Sequence, residues 1–138
     1  MVETKLTVAE TDAYTAWCYP SRRLIHHQWH KYCKGDEFRE PMLKAVEAFE
    51  EHRCTKWLSD DRDFAGPLDP EDWKWGEVYF TDRIVEVGWK YSAMVMPKEA
   101  FAQISTTALI HYFDAKGVEA KFFTSLEEAR QWLDSKPD

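Results

Sequence analysis

Apolar and polar residues alternate with a period of two over the first third of the chain and with a period near 3.6 over much of the remainder. Residues 4–10 (TKLTVAE) alternate weakly, and 14–20 (YTAWCYP) are aromatic and β-rich. Residues 23–32 (RLIHHQWHKY) set Leu24, His26, Gln28 and His30 against Ile25, His27 and Trp29. Turn-forming Thr11-Asp12 and Pro20-Ser21 separate these runs, which predicts an antiparallel meander. The side bearing His26, Gln28 and His30 is expected to be the wetter one.

From Gly35-Asp36 the period lengthens. Phe38, Met42, Ala45, Val46 and Phe49 recur three or four apart, the stripe of an amphipathic helix. Asp36 is its expected cap, and Pro41 suits a first helical position, so the regular part is expected to begin at one or the other. Helix and strand then alternate, the signature of parallel crossover units. CTKWLS (54–59) reads as a short buried strand. Asp69, followed by Pro70, Glu71 and Asp72, is a strong helix start whose carboxylates face the positive end of the helix dipole. Trp73, Gly76, Phe80 and Ile84 continue one face of that helix, with a break near Thr81-Asp82 and a stop at Gly88. YSAMVMP (91–97) is the next strand, and Ser105 is expected to cap a helix running to Gly117. VEAKFF (118–123) is the last strand. A capping box of Thr124 with Glu127, or Ser125 with Glu128, opens a final helix carrying Leu126, Ala129, Trp132 and Leu133.

Length and charge narrow the possibilities. With 138 residues, 44% of them hydrophobic, the chain suffices for one core and not two, so residues 1–138 are expected to form a single domain. A net charge of −7 with scattered basic residues argues against nucleic acid as a partner, because phosphate binding needs clustered lysine and arginine. Cys18, Cys33 and Cys54 show no short pairing pattern, and the first residues carry no basic-then-apolar leader. Reduced thiols and a cytoplasmic location are the expectation. No apolar run approaches the ~20 residues of a membrane helix.

Three groups of residues could carry chemistry. If IHHQWHKYC were helical, His26, His30 and Cys33 would share a face as a three-ligand zinc site. As a strand, His26 and His30 stand roughly 13 Å apart and share no ion. The β-rich neighbours favour the strand, leaving His26, His27 or His30 as a proton-sensing or basic group. The acidic knot Asp60, Asp61 and Asp63 follows a parallel strand, where ligands gather in open α/β sheets, and its carboxylates suit a hard cation. The plainer reading is a solvated loop, with an aspartate on backbone N–H groups and Arg62 paired to a neighbour. Finally, Trp29, Trp57, Trp73, Trp75 and Trp89, with Phe64, Tyr79 and Phe80, are many rings for a small core; they fill it, line a pocket or anchor an interface. Trp73 and Trp75 lie on different sides of one helix, so at least one is expected near the surface or in a groove. The chain has no phosphate-cradling glycine loop and no Gly-x-Ser-x-Gly elbow, and no cofactor is expected.

The order β-β-β-α-β-α-β-α-β-α resembles the STAS, or SpoIIAA-like, domain. Its fold is α/β: a mixed sheet with N-terminal antiparallel strands and helices packed mainly on one face. The runs KWLSDDR, GWKYSAMVMP and FFTSLEEARQWL are similar to those of small bacterial SpoIIAA-like proteins with no assigned reaction, and the likeness extends from about Tyr14 to the C-terminus. In anti-sigma factor antagonists of the STAS type a phosphorylated serine lies in the corresponding strand-to-helix region, which implies a regulatory role for Ser59. Here Asp60 and Asp61 follow that serine, where the family pattern has small and glycine residues, and their charge opposes a phosphate.

The leading expectation is a non-enzymatic binding or regulatory module that meets its partner around Trp57, Asp60, Asp61, Arg62, Trp73 and Trp75. A protein partner, a second copy of the chain or a small apolar ligand would each suit. The alternative is a small metal-assisted or histidine-based enzyme using Asp60 and Asp61 with His26, His27 or His30.

Overall fold

A computed structural model describes residues 3–97 and 100–138. Six strands form one sheet in the order β1(Leu6–Glu10), β2(Tyr14–Tyr19), β3(Leu24–Trp29), β4(Lys56–Asp60), β5(Tyr91–Val95), β6(Glu119–Phe123). The first two pairings are antiparallel and the last three parallel. Each parallel crossover steps to the adjacent strand in the same direction. Because such crossovers are right-handed, all their helices must lie on one face. These are α1(Asp36–Glu51), the continuous run α2(Pro70–Gly76), a π-helical segment (Glu77–Asp82) and α3(Arg83–Glu86), and α4(Ala100–Ala115). Only α5(Leu126–Asp134), which follows the last strand, packs on the other face. The α/β architecture is the expected one.

Local chemistry explains most boundaries and corrects several. Asp69 accepts a hydrogen bond from Glu71 N–H at 3.0 Å and Ser125 from Glu128 N–H at 3.3 Å, so both caps form, the second by the Ser125 option. Asp36 does not cap α1. The cap position is Gly35 at φ 66°, whose N–H donates instead to Asp72 of α2 at 3.0 Å. Helix α1 begins at Asp36 and runs through Pro41, which costs it one internal hydrogen bond. The apolar stripe outweighs that loss: Phe38, Met42, Ala45, Val46 and Phe49 are all buried. Nor does the chain break at Thr81-Asp82. The helix widens into a π turn, which rotates the consecutive residues Phe80 and Thr81 inward together, and it stops at Gly88 in a left-handed conformation (φ 113°). Helix α4 starts at Ala100, five residues before Ser105, so Ser105 is not its cap.

Two cores result. The larger lies between the sheet and the crossover helices and includes Tyr14, Trp29, Phe49, Trp57 and Phe80. The smaller lies under α5 with Leu24, Leu58, Val95 and Leu133. The face carrying His26 is drier than its polar letters suggest: His26 is 7% exposed, its ring tilted against Trp17 at 5.1 Å. Cys18, Cys33 and Cys54 are free and buried. No helix among the described residues is long and apolar enough to cross a membrane.

Candidate functional site

The strand period divides the acidic knot between the two faces. β4 extends through Asp60, so Lys56, Leu58 and Asp60 point toward α5, while Trp57 and Ser59 point toward the larger core. Asp61 N–H donates to Val95 O at 3.2 Å, prolonging the β4–β5 ladder by one residue and turning the Asp61 side chain back to the crossover face. Asp60 is buried and grips Arg62 through two side-chain bonds, Nε–Oδ1 at 2.9 Å and Nη2–Oδ2 at 2.6 Å. Burial pushes the Asp60 carboxyl up, but the Arg62 guanidinium outweighs it and holds the group below its ordinary value. The Asp60–Arg62 pair therefore belongs to the α5 side, apart from Asp61.

Asp61 stands at the carboxyl end of the parallel strands, in a narrow open cleft between sheet and helices with a cavity volume of about 90 Å³. Aromatic rings make a large part of its walls. Trp29 stacks on Phe38 at 5.0 Å with planes 4° apart, Phe64 tilts against Trp29 at 5.5 Å, and Trp75 meets Phe38 edge-on at 6.2 Å. Trp73 and Trp75 do diverge around the helix, yet both line the cleft, because α2 lies over it: Trp73 leans toward Tyr112 of α4 and Trp75 toward α1. Gly66, at φ 123°, lets the loop after β4 press against Tyr32, where an added Cβ would lie 3.1 Å from the ring. Tyr32 in turn packs on Phe64 at 5.1 Å, behind the cleft wall.

The polar groups in this apolar surround are few. Tyr14 and His27, neighbours on β2 and β3, share a hydrogen bond of 2.9 Å at Nδ1. Tyr14 is fully buried and its phenol is the better donor, so we assign the bond as O–H to Nδ1, which leaves the His27 proton on Nε2. That nitrogen faces Asp61 Oδ1 at 3.9 Å. Burial pushes His27 down to about 3, so the ring is neutral, while burial and the nearby Asp60 push Asp61 up to about 7. Ser92, 1% exposed, presents a hydroxyl with no hydrogen-bond partner. Asp72 and Glu77 are engaged: Asp72 accepts from Arg39 Nε at 2.7 Å, and Glu77 accepts from Trp73 Nε1 at 2.8 Å.

Of the residues expected at a site, Asp61, Trp73, Trp75 and Ser59 line this cleft, Trp57 lies wholly buried in the adjoining core, and Asp60 and Arg62 face away. Ser59 is 7% exposed within β4, between β3 and β5, so a phosphate there would lie in a dry wall close to Asp61. The candidate metal ligands do not converge, and Asp60 and Asp61 lie on opposite faces of the sheet. His26 lies on the α5 side, His30 is bonded to Thr15 at 2.7 Å, and Cys33 is in the larger core. Among the described residues no group of three or more His, Cys, Asp or Glu could hold a metal ion. Sequence reading missed Tyr14, Ser92 and the cleft role of Phe38, whereas Phe64 was among the rings expected to line a pocket. Tyr14 had a legible signal, since it precedes an alternating run that pairs it with the histidine strand.

Comparison with known proteins agrees with the architecture. No curated protein and no solved structure matched the chain. A family model described as SpoIIAA-like matches residues 24–134, from the start of β3 to the end of α5. With four fifths of its length inside that match, the chain belongs to the SpoIIAA-like family.

Proposed function

We propose that the protein is a non-enzymatic binding module whose cleft takes a small, mainly apolar ligand. One observation carries this reading: the aromatic excess is gathered around an opening at the carboxyl ends of β3–β5 instead of being spent wholly in the core. Ligand sites in open α/β sheets lie at that end, and they are mostly apolar with a few convergent polar groups. Asp61, His27 and Ser92 are such groups here.

The test is a titration of the ¹⁵N-labelled protein with indole, a neutral aromatic probe. Shifts should centre on the Trp29, Trp73 and Trp75 ring N–H signals and the amides around Asp61 and Gly76. Gly76 lines the cleft and has open space where a Cβ would be, so Gly76→Leu should obstruct the site and abolish the shifts. Indole shifts scattered over the surface, or undiminished in Gly76→Leu, would refute the assignment.

A further inference from the structure

We infer that the cleft's ligand is an organic cation: an amine on an aromatic or aliphatic body, with Asp61 as its counter-ion and Ser92 meeting a polar group at its far end. The inference deepens the ligand-binding reading and rests on it. The charges facing the cleft are all of one sign. Asp61, Asp72 and Glu77 contribute carboxylates, and no lysine or arginine is found among the described lining residues. Asp72 is neutralised by Arg39, and Glu77 already holds the Trp73 N–H. Asp61 is different. Its contact with His27 Nε2 is 3.9 Å, too long for a hydrogen bond, and its side chain is 14% exposed at the cleft, so its oxygens are open to an entering donor.

The walls suit the same charge. Faces of indole and benzene rings attract cations, most strongly where water is excluded. Trp75 already shows this attraction, with the Arg39 guanidinium 5.9 Å from its ring. An anion would face the Asp61 and Glu77 carboxylates with no cation to receive it, and a wholly apolar ligand would leave both Asp61 and Ser92 without a partner. Ser92 lies level with Trp57 in the sheet, and Asp61 is four residues further along the same strand direction. That separation is on the order of 13 Å, so one head group does not reach both. The arrangement selects an elongated molecule: ammonium at Asp61, an apolar body along the cleft wall between the two groups, hydroxyl or carbonyl at Ser92.

Three probes of matched shape test it at pH 8, where the Asp61 carboxyl is ionised and an alkylamine still charged: tyramine, its neutral alcohol analogue tyrosol, and the anionic 3-(4-hydroxyphenyl)propionate. Titrations followed by tryptophan fluorescence and calorimetry should rank tyramine at least about tenfold above tyrosol, with the anion weakest. In Asp61→Asn the preference for tyramine over tyrosol should vanish, and Ser92→Ala should weaken both. Equal binding of tyramine and tyrosol by the parent protein, or a preference that survives Asp61→Asn, overturns the cation inference and leaves the ligand cleft standing. Absence of binding by all three, together with a silent indole titration, overturns both.

Discussion

The Tyr14 hydroxyl and His27 Nδ1 meet 2.9 Å apart across β2 and β3, and this single bond decides which nitrogen of a buried imidazole faces Asp61. Both rings are inside the larger core, where an unmade hydrogen bond costs more than a made one contributes. Tyr14→Phe should therefore destabilise the protein by about 1–3 kcal/mol, because it strands Nδ1. Urea unfolding should show a lower midpoint at unchanged slope. The double variant Tyr14→Phe/His27→Phe, with both polar partners gone, should recover part of that loss; a strictly additive double loss would show that the bond contributes nothing particular.

Adjacent aspartates should respond to amidation with opposite signs. Asp61 is pushed up to about 7 from an ordinary value of 3.8, so the folded protein keeps a proton there that the unfolded chain has released. The stability this group contributes is complete below about pH 4 and is lost as the pH rises through 7. Asp61→Asn, which stays neutral, should exceed the parent in stability at pH 8 by on the order of 2–4 kcal/mol and match it near pH 4. Asp60 is held down by Arg62, so its contribution is present above the ordinary carboxylate range and is lost in acid. Asp60→Asn should be less stable than the parent at pH 8. Chemical denaturation of both variants at the two pH values measures the crossing, and same-sign effects at pH 8 would contradict the division of the pair.

His26 has neither ring nitrogen bonded and is 7% exposed among Trp17, Asp60, Arg62, Lys5 and Arg130. Burial and the Arg130 charge push it down to about 4. It must charge on unfolding below pH 6.5, so the stability it contributes is full above that value and is lost as the pH falls through 4. His26→Leu removes an unsatisfied polar ring and should raise stability at pH 5 by about 1 kcal/mol, flattening the acid limb of the pH profile. A loss of stability at pH 5 would mean that the imidazole has a partner after all.

Gly76 has ordinary helical angles at the junction of α2 and the π turn, and nothing lies within 4 Å of an added Cβ. Gly76→Ala should thus stabilise by about 0.5–1 kcal/mol through the unfolded state, read as a higher thermal midpoint. A lower midpoint would show that the π turn needs glycine there.

The periodicity of the chain was enough to obtain the strand and helix order and the two working caps, because each depends on residues close in sequence; helices mainly on one face came from the family resemblance. Alternation in β3 correctly paired Ile25 with His27 and Trp29 on one side. It could not say which side was wet, since α5, from the far end of the chain, joins the neighbouring-strand Trp17 in covering His26. The acidic knot shows the same limit. KWLSDD reads as a strand running into a charged loop, yet one more residue of ladder, set by Val95 on the neighbouring strand, sends Asp60 to Arg62 and Asp61 to the cleft. Pro41 and Thr81 misled for a related reason: local propensity marks a boundary there, and the burial of a long apolar stripe carries the helix through.

What the sequence alone determined, then, is the succession of elements and the sidedness within each, both short-range consequences of backbone period and turn chemistry. The tertiary structure decided which sides meet. Only packing could bring Tyr14, His27 and Asp61 into a row and leave an aromatic cleft beside them, because burial, and with it the charge state of each group, is a property of the assembled surroundings and not of any residue.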